Sequence, residues 1–243
     1  MSTTQHEELV KKFPDVDPFL LKKWERIFNV FFDRNASTEV DWGDFYLVVR
    51  QVRDIYGAQS EQMKFARSSM KTLWEALKKE ADKNSDELIQ VEEWVQILKG
   101  TDPKHQNPWF MEYMGFMFKL FDVSADNHLD LAEYTDGMHC YGYSEQEAHD
   151  AFHKFAIDRK TGKVKNVEGL TEKEFAEVFT EYFHSKDRKA PGNNLFGDRK
   201  TGKVKNVEGL TEKEFAEVFT EYFHSKDRKA PGNNLFGILP PNF

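Results

Sequence analysis

Three short segments of the chain carry oxygen-bearing residues at one common spacing. In the segment that fits best, Asp122, Ser124, Asp126, Asp130 and Glu133 stand at positions 1, 3, 5, 9 and 12 of a twelve-residue stretch, and the His128 carbonyl falls at position 7. A hard divalent cation such as Ca²⁺ takes about six to eight oxygen ligands, and a loop with this spacing supplies them. Four carboxylates there face one cation. Asn127 stands at the tight turn of position 6, and Asn tolerates a positive φ. The second segment offers Asp82, Asn84, Asp86, the Leu88 carbonyl, Gln90 and Glu93, with Glu87 at position 6. The first offers Asp33, Asn35, Ser37, the Glu39 carbonyl, Asp41 and Asp44, with Thr38 at position 6. Thr38 is β-branched and strained at positive φ. Asp44 is one methylene shorter than Glu and reaches a metal through fewer oxygens, which favours Mg²⁺ relative to Ca²⁺. This loop is therefore expected to be the weakest, or the most tolerant of Mg²⁺. Val40, Ile89 and Leu129 at position 8 are placed to pair two loops as a short ladder.

Loops of this kind need rods on either side, and the apolar spacing is helical throughout. Asp17-Pro18 opens a helix carrying Trp24, Ile27, Phe28 and Phe31. Phe45, Val48, Val49, Val52 and Tyr56 form the next stripe. Met63, Ala66, Met70, Leu73, Trp74 and Leu77 form a third, and Trp94, Val95 and Leu98 mark a shorter helix. Gly100-Thr101-Asp102-Pro103 then breaks the pattern, which sets a boundary between residues 1–102 and 103–197. Beyond it come stripes on Phe110, Met114, Met117, Phe118 and Phe121, and on Leu131, Tyr134 and Met138. Ser144 with Glu147, and Thr171 with Glu174, are capping boxes that open two more helices. Up to residue 184 this makes eight helices and an all-α fold.

Residues 158–197 recur unchanged as residues 198–237, followed by a six-residue tail. Each copy holds 8 basic and 7 acidic residues, whereas residues 1–157 hold 18 basic and 28 acidic ones. The chain's net charge of −8 thus comes wholly from the part that carries the three loops. A fourth loop before Thr171, with Leu170 at position 8 and Glu174 at position 12, places Lys163, Lys165 and Val167 at positions 1, 3 and 5. Cationic side chains there repel a cation, so this loop is read as dead. Its second copy, Lys203 to Glu214, is dead for the same reason.

Net acidity disfavours general nucleic-acid binding. No apolar run approaches ~18 residues, so no membrane span is expected. The first residues lack the apolar core of a secretory signal, and Ser2 replaces the Gly that myristoylation needs, which gives a cytoplasmic expectation. The lone Cys140 excludes an internal disulfide framework and reads as a packed side chain. His149 and His153, four apart, have no third zinc ligand in view and read as a surface pair. Gly197, Gly202 and Lys203 make a partial phosphate-loop pattern, but Val204 stands where Ser or Thr would hold Mg²⁺. No arrangement of side chains reads as catalytic, so an enzyme is not expected.

The stretches FFDRNASTEVDWGDF, ADKNSDELIQVEEW, FMFKLFDVSADNHLDLAEY and TEYFHSKDRKAPGNNLFG give residues 1–184 a resemblance to the invertebrate sarcoplasmic calcium-binding protein family, and within it to the calexcitin group. The resemblance implies two EF-hand pairs in a compact fold, with Ca²⁺ in the first three hands and none in the fourth. Against the resemblance stand Thr38, where Gly is usual, and the doubled last segment. An EF-hand needs an entering helix. Residues 144–157 supply one for the first copy, while Ala190-Pro191-Gly192-Asn193-Asn194 supplies none for the second. Residues 158–184 are therefore expected to complete the fourth hand. Residues 198–243 become an appended segment with Phe215, Val218, Phe219, Tyr222 and Phe223 on one helical face, a surface for docking or self-association. The function implied is an intracellular Ca²⁺ buffer, or a sensor that bares apolar surface to a protein partner. Met111, Met114, Met117 and Met138 are candidates for lining such a groove. A luciferin-type ligand carrier or photoprotein on the same scaffold is the alternative, and it requires a central cavity.

Overall fold

The computed structural model describes residues 3–101 and 108–197. The duplicated segment, its apolar face and the partial phosphate-loop pattern of Gly197 to Lys203 thus lie wholly or mostly outside the described residues. Asp17 accepts a hydrogen bond from the Phe19 N–H at 2.8 Å and Pro18 takes the first helical position, so the second helix starts where expected. Nine α-helices occur among the described residues: α1 (Thr3–Lys12), α2 (Pro18–Ile27), α3 (Trp42–Tyr56), α4 (Glu61–Ala81), α5 (Val91–Lys99), α6 (Pro108–Phe121), α7 (Leu131–His139), α8 (Glu145–Phe155) and α9 (Glu172–His184). The eight expected helices are α2 to α9. Helix α1 is additional. It carries too few apolar residues to show a stripe, yet it buries Leu9 and leads into buried Phe13 and Val16.

Helices α2 to α9 form four helix–loop–helix hands. Each even-numbered helix enters a loop and the next odd-numbered helix leaves it. Helix α2 passes into a π-helical turn, Phe28–Phe32, before the first loop. Strands of two residues tie the loops in pairs: β1 (Glu39–Val40) with β2 (Ile89–Gln90), and β3 (His128–Leu129) with β4 (Leu170–Thr171), both antiparallel. Val40 opposes Ile89 and Leu129 opposes Leu170, which is the expected pairing of the position-8 residues. The fourth hand is built by α8, β4 and α9, so its exiting helix comes from the first copy of the repeat. The described residues make one compact unit.

The abundance of phenylalanine is explained by the interior. Trp94 sits edge-on to Trp109, with ring centres 5.3 Å apart, and Trp109 stacks on Tyr113. Phe110 meets Phe179 and Phe183 edge-on. Aromatic pairs of this kind add about 0.5–1.5 kcal/mol beyond the area they bury. Two of the central indole donors are satisfied by backbone carbonyls: Trp94 Nε1 donates to Trp24 at 2.9 Å within the first half, and Trp24 Nε1 donates to Phe183 at 2.8 Å across the halves.

After α9 the chain turns back through a 3-10 turn, Pro191–Asn194, and residues 185–197 act as a bolt. Phe196 is buried against Phe31 and Tyr182. Lys23 of α2, 6 % exposed, donates to the Ser185 carbonyl and to Asn193 Oδ1, both at 2.8 Å. Arg26 donates to the Phe196 and Gly197 carbonyls, and Tyr134 Oη donates to the Leu195 carbonyl. The bolt thus joins the first hand to the third and fourth. Burial pushes the Lys23 ammonium down to about 8, against the pull of Glu181 and Asp17.

Candidate metal centres

The three candidate loops share one backbone shape. Positions 4 and 6 are left-handed in each: Ala36 and Thr38 in the first, Ser85 and Glu87 in the second, Ala125 and Asn127 in the third. None of the six is glycine. In every loop the position-1 carboxylate accepts the N–H of position 6. Thr38 N–H donates to Asp33 at 3.2 Å, Glu87 N–H to Asp82 at 3.1 Å and Asn127 N–H to Asp122 at 3.1 Å. The turn at position 6 is therefore closed by the first candidate ligand itself. Thr38 sits at φ 77°, in the region its β-branched side chain resists. The exposed Glu87 carboxylate pairs with Lys78 of the entering helix at 3.3 Å.

The position-12 acid closes the other side. Glu93 accepts from the Lys83 and Gln90 N–H groups, both at 3.1 Å, and Glu133 accepts from those of Ser124 at 2.9 Å and Asp130 at 3.3 Å. Asp44, shorter, still takes three: Arg34 at 2.8 Å, Asn35 at 3.0 Å and Asp41 at 3.0 Å. Asp44 is fully buried. Burial pushes its carboxyl up to about 6, against those same three N–H groups, and the neighbouring Asp41 adds to the rise.

Candidate ligands also meet one another. Ser37 Oγ donates to the Glu39 carbonyl at 2.8 Å, Asn84 Nδ2 donates to Asp86 at 2.8 Å, and Ser124 Oγ donates to Asp122 at 3.5 Å. Asn35 and Asp86 accept from N–H groups two residues on, as does Asp126 from His128. Gln90 and Asp130 begin α5 and α7 as N-caps, and Asp41 begins α3. The Leu88 carbonyl immediately precedes β2, and that of His128 lies within β3. Among the described residues, no group of three or more His, Cys, Asp and Glu side chains is gathered into a metal-holding cluster. Each carboxylate is instead held by backbone N–H groups of its own loop. The donor set is all oxygen, which fits Ca²⁺ or Mg²⁺ and not a soft metal.

Two contacts in these loops have no signal in the sequence. Arg34, at position 2 of the first loop, reaches across to the Tyr141 carbonyl at 3.4 Å and lies over the Tyr141 ring. It ties the first loop to the turn after α7. In the fourth loop the Lys165 ammonium lies 2.5 Å from Glu174 Oε1. Position 2 points outward in the pattern, and a lysine at position 3 reads only as a ligand lost.

The features set aside in the sequence fall as follows. Cys140 is buried at the end of α7, and burial pushes its thiol up to about 12. His149 and His153 lie along α8 with ring centres 6.3 Å apart, and Glu145 is 3.9 Å from His149. Met114, Met117 and Met138 are buried, whereas Met111 is exposed. No helix among the described residues is long and apolar enough to cross a membrane.

No protein-family model matches the chain. Calexcitin-1 of Caenorhabditis elegans is 54% identical over 191 residues, covering 79% of this chain and 92% of its own length. A sarcoplasmic calcium-binding protein from amphioxus has the same fold, with a TM-score of 0.60 and 20% identity over 76% of this chain and 99% of its own. The coelenterazine-binding protein of Renilla muelleri in its calcium-loaded apo form follows at a TM-score of 0.54 and 17% identity, over 74% and 96% of the two chains. Four hands paired through two ladders, three oxygen-lined loops and one lysine-bearing loop, together with the extended identity to the nematode protein, show that the chain belongs to the calexcitin and sarcoplasmic calcium-binding protein family of EF-hand proteins.

Proposed function

We propose that the chain is a cytoplasmic Ca²⁺-binding protein that acts as a buffer, with no enzymatic activity. Its EF-hand pairs are 1–102 and 103–197, and residues 198–243 are an appended repeat and tail. The ion sites are Asp33, Asn35, Ser37, Glu39, Asp41 and Asp44; Asp82, Asn84, Asp86, Leu88, Gln90 and Glu93; and Asp122, Ser124, Asp126, His128, Asp130 and Glu133. The observation that carries this reading is the repeated loop backbone, left-handed at positions 4 and 6 in all three, with oxygen donors at the same six positions. A bound divalent ion would supply the charge that offsets three or four carboxylates brought close together. Mg²⁺ competes best at the first loop, where Asp44 offers the shorter arm.

A sensor is the second reading. Trp42 and Tyr46, one turn apart on α3, are 39 % and 51 % exposed, an apolar surface open to a protein partner. The buffer is preferred because three of the four methionines expected to line a groove are buried in the interior. The ligand-carrier alternative finds less support. The void among Phe31, Phe32, Phe45, Met70, Tyr113 and Tyr141 measures about 10 Å³, room for one water molecule at most. Calorimetric titration with Ca²⁺, with and without Mg²⁺, tests the proposal. Three ions are expected, or two at high Mg²⁺, and no uptake at micromolar Ca²⁺ would end it. A hydrophobic dye that binds only in Ca²⁺ would move the reading from buffer to sensor.

A further inference from the structure

The fourth loop has lost its cation ligands, yet it keeps the closed form of a binding loop. Its position-12 acid, Glu174, accepts the Thr171 N–H and hydroxyl at one oxygen, both at 3.0 Å, much as Glu93 and Glu133 accept a position-9 N–H. The other oxygen differs. In the second and third loops it takes a backbone N–H from the loop's own start, whereas Glu174 Oε1 takes the Lys165 ammonium at 2.5 Å. Lys165 is well placed to hold that position. Its side chain is 15 % exposed, its N–H donates to the Ala156 carbonyl at 2.8 Å and its carbonyl accepts from Gly169 at 3.2 Å. Burial acts to raise the Glu174 carboxyl, but the hydrogen bonds from Lys165 and Thr171 outweigh it and leave it low.

This loop touches the third one through its backbone. Leu170 and Thr171 ladder with Leu129 and His128, and the Leu131 N–H donates to the Asn166 carbonyl at 3.3 Å. Gly169, at φ 67°, lies so close that a Cβ there would fall 2.9 Å from the Leu129 carbonyl group. Whatever orders the fourth loop therefore orders positions 7 to 10 of the third.

We propose that Lys165 is a tethered cation: its ammonium does for Glu174 what a bound divalent ion does for the last acid of a binding loop, keeps β4 laddered to β3 without any ion, and so pre-organises the third loop for Ca²⁺. Lys165 is thus a positioning residue for a site it does not touch. Ordering entropy spent in folding is not spent again on binding. The first and second loops have no such partner. Each must be organised by ions, so these two couple to each other while the third binds independently. This inference rests on the Ca²⁺ reading of the third loop.

Hydrogen exchange on the full wild-type chain in chelator tests the first half. The amides of 128–129 and 170–171 are expected to exchange at least ten-fold more slowly than those of 39–40 and 89–90. Equal exchange in the two ladders would overturn the proposal without any variant being made. The second half uses Lys165→Met with Lys205→Met, so that either identical segment carries the change. Third-loop affinity for Ca²⁺ is expected to fall by about ten-fold, a typical coupling between sites, with the first two loops unchanged. The pair Lys165→Arg and Lys205→Arg should restore most of it. On a Glu133→Gln background the methionine pair should change nothing further. Unchanged Ca²⁺ affinity in the methionine pair, or an equal loss at all three loops, would overturn the role of the lysine. Absence of Ca²⁺ uptake by the wild type would instead overturn the function on which it rests, while the exchange comparison still reads the lysine's effect on the ladder.

Discussion

A chain that carries one folding segment twice should resist damage to either copy. Phe183 is fully buried among Phe110, Phe179, Tyr182 and Phe196, with ring centres 5.0 to 6.1 Å away. Replacing such a side chain by Ala costs about 3–5 kcal/mol. Here Phe183→Ala has an escape, because residues 198–237 repeat residues 158–197 at every position and carry Phe223 in its place. An identical segment makes identical contacts in the same seat, so the exchange costs only the longer connection. With the first copy seated, residues 156–169 join α8 to β4. With the second seated, residues 156–209 would do so, roughly a four-fold lengthening that costs about 1.2 kcal/mol in loop-closure entropy.

Phe183→Ala alone should therefore cost about 1–2 kcal/mol, because the loss is capped by the exchange. Phe223→Ala alone should cost close to nothing. The pair should show the whole 3–5 kcal/mol. This is a strong departure from additivity between two substitutions of the same residue type. Urea unfolding of the three variants and the parent, in chelator and at one fixed Ca²⁺ concentration, measures it. Should Phe183→Ala alone destabilise as much as the pair, the second copy does not reach the seat and the reasoning fails. On the same arithmetic the second copy would take the seat in about one wild-type molecule in nine.

Four further expectations concern the loops and the bolt. Glu133→Gln should remove one Ca²⁺ from the calorimetric count and leave the others in place. Asp44→Glu lengthens the arm at position 12, and should raise the preference of the first loop for Ca²⁺ over Mg²⁺, read by titration at high Mg²⁺. Thr38→Gly relieves a left-handed β-branched residue, worth about 1–2 kcal/mol, and gives back about 0.5–1 kcal/mol in unfolded-chain entropy. Its urea midpoint should rise slightly, and a fall would count against strain at that turn. Lys23 binds its proton less tightly folded than unfolded, so between pH 8 and 10.5 the unfolded state holds more protons and stability from this group rises with pH. Relative to Lys23→Met, the wild type should gain about 1–3 kcal/mol across that window, and parallel profiles would refute the assignment.

What could be read from the sequence, and what could not, divides along one physical line. Helices α2 to α9 and the position-8 pairings were legible because a hand is local: cap, stripe and loop spacing lie within about thirty residues of one another, and each constrains the next. Glu87 and Thr38 at the tight turns were legible too, since backbone strain depends only on the residue and its φ. Helix α1 was not, because TTQHEELVKK buries Leu9 yet holds too few apolar residues to show a face of its own. The contacts of Arg34 and Lys165 were not legible for a related reason. The pattern judges a loop side chain by whether it can bind an ion, whereas these two bind protein: one a carbonyl 107 residues away, the other a carboxylate nine residues on. The bolt of residues 185–197 is the extreme case, a stretch of Lys, Asp, Pro, Gly and Asn that looks like a linker and is held by Lys23 and Arg26 from the first hand. These long-range ties have a common consequence. The first loop leans on Tyr141, and the first entering helix leans on residues 183–197. The two halves are therefore joined by side chains that no loop pattern contains, and the division into two pairs describes how each hand is built rather than what holds the hands together.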